Sequence, residues 1–291
     1  MEISRLRQSL EDLYRTYDIR YLQADPLSMV HRFSRPEDRE VAGLIAAAFS
    51  YGRVPQILKT LKGIFAPMAG APYAFVQNFD LVRDGPKFSG LVHRFNNDQD
   101  LICLLIGLQQ VLKEFGSVKG LFLAGYAPSE PDIGPALTRF VEYILALDYS
   151  PLYGKRPLPP TAGVRFLLPS PRKKSACKRL NMYLRWMVRC GDSLDLGLWR
   201  EISPAKLLIP LDTHVARIAK RIGLTKRTAA DWRAVREITE KLRRLDPEDP
   251  VRYDFALAHL GILQQCGKEV NAAGCAACVL EWTCRKNSRQ R

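Results

Sequence analysis

The chain has 291 residues, with 44 Lys and Arg against 30 Asp and Glu, a formal charge of +14 and a sequence pI near 9.6. Apolar residues make up 47% and charged residues 25%, a balance that excludes a mostly disordered chain. The longest apolar run, around Val41–Phe49, is too short to span a bilayer, and the polar, amphipathic N-terminus shows no apolar signal segment. These features predict a soluble cytoplasmic protein without a membrane partner. The excess of basic residues points to a polyanion, most simply nucleic acid.

In chain order, the apolar spacing predicts helices throughout. Pro36, Glu37 and Asp38 open a run from Arg39 to Ile64, in which Val41, Leu44, Ile45, Ala48 and Phe49 share a face and Gly52 marks a break. Further helices are expected over Asp98–Phe115, Ile133–Leu147, Arg179–Val188, Thr213–Ile222, Ala230–Leu245 and Arg252–Gln265. Between Asp148 and Pro171 the periodicity collapses around Pro151, Pro157, Pro159, Pro160, Pro169 and Pro171, which predicts an ordered connection over the surface. The LDPEDP stretch at 245–250 reads as a helix stop followed by a helix start. No alternating β-branched run is long enough to build a sheet, so the fold class is all-α.

Four of the seven cysteines crowd near the end of the sequence: Cys266, Cys275, Cys278 and Cys284, spaced C-x8-C-x2-C-x5-C. In a reducing compartment a tight group of thiols reads as a metal site rather than as disulfides. Four thiolates suit either zinc or a [4Fe–4S] cluster. Zinc sites often use two C-x2-C knuckles, and the single such pair here favours the iron–sulfur cluster.

Two stretches carry a resemblance. The cysteine spacing is similar to the C-x6-C-x2-C-x5-C loop of endonuclease III-type DNA glycosylases, the helix-hairpin-helix (HhH-GPD) superfamily. Residues 209–224, IPLDTHVARIAKRIGL, resemble that superfamily's V-D-T-H-V-x-R-x-x-x-R-L-G-L segment. The chain is thereby identified as a divergent member, and the resemblance implies several things. The fold would be bilobal, with a helical lobe over 31–199 containing a helix-hairpin-helix at about 167–189. Residues 1–30 with 200–291 would form a second lobe carrying an iron–sulfur loop at 266–284. A [4Fe–4S] cluster would be held by Cys266, Cys275, Cys278 and Cys284. Asp212 would be the catalytic carboxylate; without the resemblance it reads as a helix N-cap.

The hairpin region LLPSPRKKSACKRLNMYLRWMVR lacks the family's Gly-x-Gly and instead holds Arg172, Lys173, Lys174, Lys178, Arg179, Arg185 and Arg189. Arg172, Lys173, Lys174 and Arg179 are the expected DNA-binding residues, placed to meet phosphates. Bifunctional relatives carry a nucleophilic lysine at the start of the second hairpin helix. Aligning the Leu-Pro pair selects Lys174. Sliding by four selects Lys178, which is favoured because Leu180, Met182, Tyr183 and Leu184 then face the core, whereas the other register buries Lys178 and Arg179. An ordinary phosphate-binding lysine is the simpler reading of either. The implied function is base-excision repair on double-stranded DNA: a glycosylase with AP-lyase activity through a lysine Schiff base, monomeric and nucleoid-associated. Two alternatives are a non-catalytic nucleic-acid-binding iron–sulfur protein of the same fold, and a zinc-stabilised nucleic-acid-processing factor.

Overall fold

The computed structural model describes residues 3–155, 157–263, 266, 275 and 278–284. Its long helices, in chain order, are α1 (Ile3–Thr16), α2 (Pro36–Phe49), α3 (Val54–Phe65), α4 (Asp98–Phe115), α5 (Gly134–Ala146), α6 (Lys178–Val188), α7 (Thr213–Arg221), α8 (Trp232–Arg243) and α9 (Asp254–Ile262). The expected all-α class holds. Among the described residues the only strands are Val92–His93 and Asn96–Asn97, a two-residue antiparallel ladder that pairs Val92 with Asn97 and His93 with Asn96. No single helix among them is long and apolar enough to cross a membrane.

Local chemistry sets the helix ends. Pro36 and Pro55 stand in the first turns of α2 and α3, where a missing N–H costs nothing. Gly52, at φ +103°, makes the break between them. Asn97 and Asp100 close a reciprocal capping box at the head of α4, and Gly116, at φ +73°, ends it. Asp212 and Asp231 cap α7 and α8 by accepting from the amides of Val215 and Ala234. The proline-rich stretch from Asp148 forms only two single helical turns, Ser150–Tyr153 and Val164–Leu167, and otherwise runs irregularly.

The chain divides into two compact units. One comprises residues 22–173 with 197–200; the other comprises 1–21, 174–196 and 201–291. The division differs from the expected 31–199 lobe: it falls at Lys173–Lys174, so α6 belongs with the chain termini. In the first unit α2 is buried on nearly all sides and packs against α3, while α4 packs against α5. Glu40 is buried there. It accepts from the amides of Val118 and Lys119 and from the Trp199 indole, and burial raises its carboxyl despite those bonds.

In the second unit α9 packs against both α1 and α7. A Cβ at Gly261 would collide with His214, so glycine is what lets α7 and α9 approach. At the centre lies a chain of ions. Arg185 bonds Asp195 and Asp254, and Arg189 bonds Asp192, Asp195 and Asp249. Asp192 in turn accepts from the Tyr14 hydroxyl on α1 at 3.0 Å. Both arginine side chains are 4% exposed. Arg185 and Arg189 therefore do not belong to a phosphate-facing surface, as the run of basic residues suggests; they are core groups that bind α6 to α9 and α1. Removing one partner of a buried pair strands a charge, so Arg185→Ala is expected to lower unfolding free energy by about 3–5 kcal/mol. Arg172→Ala, at a side chain 72% exposed beside Glu142, is expected to change it by less than about 1 kcal/mol. Urea unfolding of both variants checks the contrast.

Candidate active site

The approach to α6 is unusual backbone. Lys174 and Cys177 hold φ of +61° and +47°, the left-handed region that non-glycine residues seldom occupy. Neighbouring strands of chain fix this bend. The Lys174 carbonyl accepts from the Trp232 amide at 3.1 Å, and Ser175 bridges Asp231. Inside the bend Asn181 donates from Nδ2 to the Ala176 carbonyl at 3.1 Å. The helix then begins at Lys178, whose side chain is half-buried. Leu180, Met182, Tyr183 and Leu184 are buried, and so is Arg179, so burial does not choose between the two registers. Lys174 lies outside the helix and is exposed.

Asp212 sits half-buried at the head of α7, its Oδ1 accepting from the Val215 amide at 2.7 Å. That bond uses one oxygen as a cap and leaves the carboxylate facing the same neighbourhood as Asp254. Asp254 is a buried titratable group that sequence reading did not single out. It opens α9, is 3% exposed, and pairs with Arg185 through Oδ2, while Oδ1 is buried with no hydrogen-bond partner among the described residues. Its carboxyl is pushed up to about 6, chiefly by burial. The Arg185 guanidinium opposes the shift, the Asp212 carboxylate adds to it, and the Lys178 ammonium opposes it again. Lys178 and Asp212, 34 positions apart in sequence, thus both act on one buried carboxyl. The signal that could have found Asp254 was its place in the first turn of a helix that is otherwise apolar, FALAHLGI.

The expected DNA-binding residues separate in the structure. Arg172 and Lys173 occupy a 3₁₀ turn (Pro171–Lys173), both exposed, with Arg172 Nε 2.7 Å from Glu142. Lys174 is exposed in the bend before α6. Arg179 is 7% exposed and so lies beneath the surface. The expected helix-hairpin-helix at 167–189 does not form as two helices. Ahead of α6 stand only the single turn Val164–Leu167 and the 3₁₀ turn, and the unit boundary cuts between them and α6.

The [4Fe–4S] expectation is corrected as well. Among the described residues no three His, Cys, Asp or Glu side chains converge so as to hold a metal ion. Cys266, Cys275, Cys278 and Cys284 are half-buried free thiols. Cys266 Sγ accepts from Arg221 Nη1 at 2.8 Å, and its carbonyl accepts from Arg217 at 2.7 Å. The Cys278 amide donates to the Cys275 carbonyl at 3.1 Å. Burial, and then the neighbouring thiols of Cys266, Cys275 and Cys284, raise the Cys278 thiol. Among the described residues the four do not meet at one centre, and Cys266 is bonded to α7 through Arg217 and Arg221. The basic residues Lys268, Arg285, Lys286 and Arg289 around them lie outside the described residues.

The raised Asp254 carboxyl has a consequence for stability. It keeps its proton in the folded chain at pH values where the unfolded chain has released it. Its contribution is fully present below the ordinary carboxylate value of 3.8 and is lost as pH rises through about 6. Unfolding free energies of the native protein and Asp254→Asn, measured from pH 4 to 7, are expected to diverge in that direction: the native protein loses stability relative to the variant as pH rises. A pH-independent difference would contradict the assignment.

Comparison with known proteins overturns the HhH-GPD resemblance. No HhH-GPD family model matches, and all four clustered cysteines fall outside the stretch that a family model does match. The IPLDTHVARIAKRIGL likeness comes down to a capped amphipathic helix start, a pattern short enough to recur on unrelated chains. No curated protein and no solved structure matches the chain. Residues 25–263 match the model of a family described as a protein of unknown function, DUF2400, and the chain belongs to that family.

Proposed function

We propose that this chain acts on double-stranded DNA, cleaving the N-glycosidic bond of a damaged base, with Lys178 as the amine nucleophile and Asp212 as the carboxylate. The observation that carries the reading is that Lys178 and Asp212, at the heads of α6 and α7, both bear electrostatically on the buried Asp254 carboxyl, which Arg185 of α6 holds. An amine and a carboxylate held at the heads of two helices are what this chemistry needs. The amine attacks C1′ of the sugar, the C1′–N bond breaks, and its electron pair leaves with the base, which takes up a proton. Loss of the amine proton and opening of the sugar ring give a Schiff base, from which the 3′ phosphate can be eliminated. Asp212 offsets the positive charge that develops on the sugar and accepts the proton from the amine. The flipped base is read outside the stack. The formal charge of +14 and the exposed run Arg172, Lys173 and Lys174 supply phosphate contacts. That run by itself supports a second reading, a nucleic-acid-binding protein without turnover.

Borohydride reduces a Schiff base to a stable secondary amine, so protein caught on an abasic or damaged duplex reports the covalent step. Lys178→Ala is expected to abolish trapping and Lys174→Ala to leave it largely intact. Asp212→Asn is expected to keep the cap of α7, since Asn caps about as well as Asp. It should nevertheless cut turnover by about a hundredfold or more, the usual cost of removing a charge that stabilises a transition state. Equal trapping by the Lys178 variant and the native protein rejects the nucleophile. Affinity for undamaged duplex is expected to fall linearly in log K against log salt, and a flat plot would remove the phosphate contacts from the reading. Salt-dependent binding without any trapping leaves the binding-protein reading.

A further inference from the structure

In the unit comprising residues 22–173 with 197–200, a hairpin turn presents aromatic rings to solvent. Phe95, at the tip of the Val92–Asn97 hairpin, is 72% exposed, and Phe166 is 43% exposed. Their ring centroids lie 5.7 Å apart, edge to face. Tyr51 joins both: its ring is parallel to Phe95 within 2° at 6.4 Å, and edge-on to Phe166 at 5.0 Å. The Arg94 guanidinium stands 5.2 Å from the centre of the Phe95 ring. We propose that this cluster is a stacking platform for an unpaired nucleobase of a nucleic-acid strand, with Arg94 meeting the adjoining phosphate.

The platform is built, not incidental. Arg94 takes φ +56°, a left-handed conformation that the two-residue turn requires and that directs Phe95 outward. Beneath the rings the polar groups are matched. The Tyr51 hydroxyl donates to the His93 carbonyl at 2.7 Å and lies 2.6 Å from Asn96 Oδ1. The His93 ring nitrogens meet the Tyr51 carbonyl and the Thr60 hydroxyl at 3.0 and 2.8 Å. Asn96 Nδ2 donates to Asp100 and to the Gly163 carbonyl at 2.8 and 3.0 Å. A side chain at Gly163 would collide with the Asp100 carboxylate, so glycine there lets the segment bearing Phe166 close onto the hairpin. Large apolar rings are therefore held in water by a rigid support, which costs free energy unless a partner covers them. Flat rings beside a guanidinium, on a chain of charge +14, suit a planar base on a polyanionic strand better than an aliphatic peptide. Phe95 is exposed enough that truncating it leaves the support intact.

The inference rests on the nucleic-acid part of the proposed function and not on Lys178, and the two fail separately. The probes are a short oligothymidylate and an oligomer of the same length made wholly of tetrahydrofuran abasic-site analogues, which cannot form a Schiff base, bound to the full chain and followed by anisotropy. Phe95→Ala is expected to weaken the oligothymidylate about 5- to 100-fold, the cost of giving up one stacked base. It should leave the abasic oligomer unchanged. Arg94→Gln should weaken both. Phe95→Trp should restore binding, with its indole emission quenched by the oligothymidylate. Probe binding and borohydride trapping are read separately, so a native protein that binds the probes with the expected Phe95 dependence and traps nothing loses the catalytic reading alone. The proposal is overturned if Phe95→Ala binds oligothymidylate normally or loses both probes equally. It is also overturned if the rings prove to bury themselves in a dimer, seen as self-association that Phe95→Ala abolishes in sedimentation.

Discussion

The ion network inside the terminal unit is the constraint on which its arrangement depends. Arg185 and Arg189 lie one helical turn apart on α6 and reach aspartates from three other places: Asp192 and Asp195 after α6, Asp249 before α9, and Asp254 in its first turn. Burial works against the charges of Arg189, Asp192, Asp195 and Asp254. For Arg189 it disfavours the guanidinium, and the charges of Asp195, Asp249 and Asp192 outweigh it and hold the proton firmly. Asp195, fully enclosed, is raised by burial although both arginines pull the other way. Such a network is a poor source of net stability compared with an apolar core, but it is demanding about geometry. In the observed placement of α6 against α9 each guanidinium reaches its carboxylates within 3.2 Å.

That demand is transmitted to the chemistry. Lys178 stands two turns before Arg185 on the same helix, so the bonds that fix Arg185 also fix the angle at which Lys178 leaves α6. Asp254 belongs to both systems. Its Oδ2 is tied to Arg185, and its remaining oxygen is buried with no hydrogen-bond partner among the described residues. A carboxyl raised to about 6 by burial, beside an amine and a second carboxylate, is a group whose proton is held loosely near neutral pH. In the proposed reaction it positions Lys178 and Asp212 through their charges. The close crossing of α7 on α9, with His214 against Gly261, sets the third side of the arrangement.

Much of the helical pattern was legible from sequence, because periodicity is a local signal. The expected run Arg39–Ile64 with a break at Gly52 emerges as α2 and α3, and the expected Asp98–Phe115 emerges unchanged as α4. The Asp212 cap was legible for the same reason. What was not legible depends on partners distant in the chain. Arg185 and Arg189 sit in a basic run and read as surface, and the distant Asp254 and Asp249, 69 and 60 positions on, join the nearby Asp192 and Asp195 in pairing them inside. The aromatic platform collects Tyr51, Phe95 and Phe166 across more than a hundred residues and leaves no motif. The cysteine spacing misled in the opposite way. A spacing reports which thiols can converge, while the arginines of α7 decide where Cys266 is held.

Charge bookkeeping ties the interior to the surface. The network holds two arginines against four aspartates, so the excess of basic groups over acidic ones lies outside it, and the rest of the chain is more basic than the whole. Arg94, Lys173 and Lys174 are among the cations that stay exposed outside the network. The buried carboxylates therefore do two things at once: they fix the helix that carries Lys178, and they leave the surface field to the cations.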